Sequence, residues 1–155
     1  MPSQKSFPIL ALLMMSLLIL MGMLITGFFA FSPLSYVQLD ISIKTWCMFI
    51  NGLLWMSLVW IVHIFETETV KKLRISHLKE IFSYMDKVAK FFYLSGALLK
   101  VLVMVIGTSV LIISIFQLHS LEAGKAQIWT AVGIFIFMMA SSIFLIFREL
   151  SSVRK

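Results

Sequence analysis

Apolar positions fall into four runs, residues 7–31, 46–65, 91–116 and 128–147, and the longest polar stretch, 66–90, separates the second from the third. Each run is about 20 residues or longer, enough to cross a hydrocarbon core of ~30 Å at 1.5 Å per residue. In lipid a segment must satisfy its own backbone, so unbroken runs of this length predict helices. No alternating ten-residue segment suggests a barrel strand. The expected fold class is an all-α integral membrane protein with four transmembrane helices, forming one domain over residues 1–155. Residues 7–31 follow a single lysine, Lys5, and exceed the 7–15 apolar residues of a signal peptide, so this run is expected to be retained as a span.

The polar stretch has its own periodicity. Ile75, Leu78, Phe82, Met85, Ala89 and Phe92 recur at three- and four-residue steps, with Ile81 and Val88 widening the stripe. Ser76, Lys79, Glu80, Ser83, Asp86, Lys87 and Lys90 take the other face, which predicts an amphipathic helix on one side of the membrane. No Gly or Pro lies between Leu53 and Ser95, and Glu66-Thr-Glu-Thr is the expected break after the second span. Three placements fit this helix. It can lie on anionic headgroups, extend the third span inward to pack on a partner or on the second span, or rest against the bundle as a connector.

Composition agrees with the pattern: 61% of residues are hydrophobic, 13% are charged, and mean hydropathy is +1.03. A soluble domain runs nearer half apolar and a quarter charged. The net charge of +6 is therefore read as topology, with no nucleic-acid partner expected. Lys5, Lys71, Lys72, Arg74, Lys79, Lys87, Lys90, Arg148, Arg154 and Lys155 fall on one side, against Lys44 and Lys125 on the other. That bias predicts both termini inside, with the amphipathic segment, about 66–90, on the inner face. The expected location is a bacterial inner membrane. Trp46 and Trp129 mark the outer ends of spans, and Pro33 and Gly124 are the expected turn formers of two short outer loops. Cys47, the only cysteine, excludes an internal disulfide.

Lys100 is the first candidate for chemistry. It shares a helical stripe with Gly96, Val103, Gly107 and Ser114, a small-residue face suited to packing on neighbouring helices. An intramembrane ammonium suggests a partner contact or proton relay, but Lys100 can also snorkel towards the inner surface. No acidic residue lies inside an apolar run, so the expected partner is a carbonyl, a lipid phosphate or another subunit. Asn51, in the second span, suits one interhelical hydrogen bond. Ser141 and Ser142, with Ala140 and Gly133, read as a close-packing patch.

Catalytic motifs are missing, the three histidines sit at mismatched depths for haem, and no metal or other cofactor is expected. The methionines read as packing rather than copper ligands. Short, cysteine-free outer loops exclude the tetraspan families with large disulfide-bonded ones. The leading expectation is a non-catalytic membrane subunit that packs against partner membrane proteins or further copies of itself. It would use Lys100, Gly96, Gly107 and Asn51 within the membrane and Lys71, Lys72, Arg74, Lys79, Lys87 and Lys90 at the inner face, on protein or anionic lipid. The alternative is a small oligomeric transporter or holin-like pore, and an embedded enzyme ranks last.

Overall fold

The computed structural model describes residues 9–32, 40–75 and 82–153. Among them all regular structure is helical: α1 (Ile9–Phe31), α2 (Ile41–Ile75), α3 (Phe82–Ser120) and α4 (Lys125–Val153). Each contains a stretch long and apolar enough to cross a membrane, Leu10–Phe31, Ile41–Glu68, Leu94–Ser120 and Lys125–Arg148. These stretches outrun the apolar runs at several ends because a helix continues while its backbone bonds are satisfied, whatever the hydropathy of the next residue.

The polar stretch follows expectation in part: α3 runs unbroken from Phe82 into the third apolar run, as an extension of that span, while the remainder differs. No break occurs at Glu66-Thr-Glu-Thr; α2 passes through it. The Thr67 hydroxyl donates to the His63 carbonyl at 2.8 Å, one turn back inside the helix, instead of capping a new one. Nor is the stripe from Ile75 to Phe92 a single helix. Its first residue ends α2, its last part opens α3, and those two helices run antiparallel. Residues 76–81, including Lys79, lie outside the described residues. A 3.6-residue apolar period is the same for one continuous helix as for two helix ends that face each other, so periodicity alone could not separate these cases.

Helix α2 is the axis of the molecule. It packs against α1, α3 and α4, whereas among the described helices α1 touches only α2. The α2–α3 seam is tight because glycines alternate sides along it. A β-carbon on Gly52 would come within 2.8 Å of Leu111 Cγ, and one on Gly107 within 3.0 Å of Met56 Cγ. Thr45 and Gln117 meet at one end of this seam. Phe49, Met56, Leu111, Leu118 and Ala131 form the buried cluster that joins α2, α3 and α4. On the α3–α4 side the Thr108 hydroxyl donates to Met139 Sδ at 3.0 Å. Burying these side chains against other helices gains van der Waals contact rather than hydrophobic transfer energy, since lipid is as apolar as the core.

Only Leu12 of the described α1 residues is buried. Gly22 receives Leu54, and Gly27 lies 3.4 Å from the Asn51 amide measured from its β-carbon position. Asn51, 3% exposed, donates to the Met23 carbonyl at 2.9 Å and to the Thr26 hydroxyl at 3.0 Å.

Gly124 lies in the α3–α4 turn as expected, but another residue makes the left-handed step. Ala123 N donates to the Leu118 carbonyl and Glu122 N to the His119 carbonyl, a Schellman pattern that requires a left-handed residue. That residue is Glu122, with φ 55°, and not the neighbouring Gly124. The Gly124 carbonyl instead accepts Gln127 N and Ile128 N, which makes Gly124 the start of α4.

Candidate functional site: a buried ion pair between α2 and α3

The stripe on α3 that carries Lys100 faces α2: Gly96, Val103, Gly107 and Ser114 are all buried with it. Lys100 itself has no exposed surface, and its ammonium donates to the Glu66 carboxylate, itself only 6% exposed. This corrects the expectation that the chain supplies Lys100 with no acidic partner. Glu66 follows the last residue of the second apolar run, and the run boundary had placed it in the connection. One further turn of α2 brings it inside the protein.

Three residues build the pair. Side chains on a helix lean towards its N-terminus, which carries the lysine from its own level back over the preceding turn. Four residues back is Gly96, where a β-carbon would fall on the Glu66 carboxylate. Gly96 thus leaves the space that Glu66 fills, and Lys100 closes over it. The snorkelling direction was legible, but it ends on a carboxylate instead of water. The signal in the sequence was a Gly-x-x-x-Lys spacing opposite a carboxylate at the end of the preceding span.

From Thr45 to Glu66 α2 rises about 32 Å, so the pair sits near the hydrocarbon boundary farthest from Trp46. Screened from water on both sides, each charge depends on the other. Removing one partner of such a pair costs about 3–5 kcal/mol, although replacing both by apolar groups is often neutral.

The other candidates are dispersed. Asn51 serves the α1–α2 seam, and Gly107 the middle of the α2–α3 seam. Lys71, Lys72 and Arg74 lie on the backbone of the last turns of α2, and Lys90 on the early part of α3; Lys87, also on α3, is exposed. Ser142 and its neighbours do not form one patch. Ser142 is fully buried, while Ala140 and Gly133 face outward, and Gly133 has nothing within 4 Å of its β-carbon position.

Among the described residues no group of three or more His, Cys, Asp or Glu is placed to hold a metal ion. The Glu66–Lys100 arrangement can pair charges, orient two helices, or release a proton-accepting carboxylate if the pair opens. Comparison with family models, curated proteins and solved structures finds no match for the chain.

Proposed function

We propose that the chain is a non-catalytic integral membrane subunit that packs against partner membrane proteins to form or stabilise a larger complex. The observation that supports this reading is the length of the α2–α3 hairpin. Beyond their membrane stretches, α2 continues from Glu68 to Ile75 and α3 starts at Phe82, ahead of Leu94. These extensions amount to about 10 Å and 18 Å of helix. They carry Lys71, Lys72, Arg74, Lys87 and Lys90, and the Glu66–Lys100 pair braces their base. The turn at the other end of α3, by contrast, is completed within Leu121–Gly124.

In this reading the hairpin and both termini face the cytoplasm of a bacterial cell across its inner membrane, as the lysine and arginine bias favours. Anionic headgroups and a partner protein are the surfaces a basic hairpin would meet. Lys100 gives no support here, because Glu66 already occupies it. Extraction in a mild detergent followed by native mass measurement tests the reading. A stoichiometric complex is expected; a clean monomer at native expression sinks it.

A second reading, a small oligomeric transporter or pore, gains one specific observation. Glu66 supplies the buried carboxylate that proton-coupled pathways use. Purified protein in liposomes should then conduct solute or protons above an empty-vesicle control, and Glu66→Gln should abolish that flux.

A further inference from the structure

At the end of the bundle that carries Trp46, the ends of three helices surround an open cleft of about 510 Å³. Ser32 comes from the end of α1, Lys44 and Thr45 from the start of α2, and Gln117 and Ser120 from the end of α3; Phe31, Met48 and Leu121 supply apolar wall. Among the described helices α1 packs on α2 alone and does not close against α3.

The hydrogen bonding around this cleft is lopsided. Four acceptors at or next to the cleft are bonded: the Ser32 carbonyl takes the Lys44 ammonium at 3.1 Å, and the Gln117, Leu118 and His119 carbonyls take backbone donors. Gln117 Oε1 meets the Thr45 hydroxyl at 3.5 Å. Donors are not. Lys44 has three N–H groups and uses one, and the Gln117 amide N–H groups have no partner among the described residues. Ser32 Oγ is buried and likewise without a partner among the described residues. A buried polar atom without a partner marks a place where one is missing. Asp40, one turn before Lys44, is exposed and does not line the cleft.

Unbonded donors around one ammonium call for an anionic, acceptor-rich group, and the apolar wall below calls for hydrocarbon. We propose that this cleft binds a phosphate-headed membrane lipid, with Lys44 and Gln117 donating to the phosphate and an acyl chain running down between α1 and α3. The depth fits, since the cleft lies beside Trp46 at the boundary where headgroups meet hydrocarbon. This site is at the opposite end of α2 from the basic hairpin and does not depend on the subunit reading.

Native mass spectrometry of the full chain, delipidated in a neutral detergent, tests the proposal by titration with phosphatidylglycerol, phosphatidylcholine or inorganic phosphate. Wild type is expected to hold one phosphatidylglycerol with saturable affinity. Lys44→Gln, which keeps a donor for the Ser32 carbonyl, should weaken that binding about tenfold, the loss typical of one charge-assisted hydrogen bond. Gln117→Leu should weaken it about threefold, and Lys125→Gln, at an exposed cation that does not line the cleft, should leave it unchanged. Competition by phosphate alone would identify the anion as the main determinant, and no competition would identify the whole lipid. If neither Lys44→Gln nor Gln117→Leu changes lipid binding, the proposal is overturned. Thermal unfolding of each variant without lipid separates lost binding from lost folding.

Discussion

Along α2, the contact with α1 is made by an amide and the contact with α3 by a carboxylate and an ammonium, and the two differ in what their loss leaves behind. Asn51 donates to groups that have other bonds: Met23 is inside a helix, and the Thr26 hydroxyl donates to the Gly22 carbonyl at 2.7 Å. Glu66 and Lys100 have charges that burial makes costly. One seam is therefore held by a contact that can be deleted, and the other by a contact that must be deleted as a whole. The largest predicted effects follow from this asymmetry. Lys100→Met and Glu66→Gln should each destabilise the chain by about 3–5 kcal/mol in a reversible unfolding assay in bicelles. The double variant Glu66→Gln, Lys100→Met should recover most of that. A double variant no better than the worse single one would show that the charges are not the reason for the loss.

The space under the ion pair gives the next effect. Gly96→Ala forces a methyl group onto the Glu66 carboxylate and should cost about 1–3 kcal/mol, as overpacking does. In a Glu66→Ala background the same change should cost little, because the side chain that collides with it is gone. The coupling energy from this double-mutant cycle is the measurement that matters. Simple additivity would place the Gly96 effect elsewhere.

On the amide side the effect is smaller and local. Asn51→Leu removes both interhelical bonds of the amide and should cost about 0.6–2 kcal/mol. Because α1 touches only α2, the loss should appear as faster hydrogen exchange in α1 than in α3 or α4. Uniform loosening of all four helices would contradict the peripheral place of α1.

The same contrast separates what was legible in the sequence from what was not. Hydropathy located the four spans because lipid imposes one requirement, length, on every crossing helix. The α3 stripe from Gly96 to Ser114 was legible for a related reason: small residues at helical spacing have few uses in lipid except close packing. Glu66 was misplaced because a carboxylate at the end of a run looks the same whether it turns to water or to a lysine on the next helix. Only the pairing of helices distinguishes these. The reversal between α2 and α3 was hidden similarly, since neither Gly nor Pro marks it and both helix ends continue one apolar period. Glu122 in the left-handed conformation carries no sequence signal beside a glycine that suits the position better.

Gly133 offers the mildest test of this comparison. Gly96 and Gly133 are both helical glycines, but Gly96 faces a carboxylate and Gly133 faces open space. Alanine is favoured over glycine by about 1 kcal/mol in a helix interior, so Gly133→Ala should stabilise the isolated chain by up to that amount. The opposite sign to Gly96→Ala is the point. In the subunit reading this face of α4 is available to a partner, and Gly133→Leu should then lower recovery of the complex while leaving unfolding of the isolated chain unaffected. Destabilisation of the isolated chain by Gly133→Ala would mean that α4 is covered by this chain itself, and the bundle would then be closed where α4 now stands open.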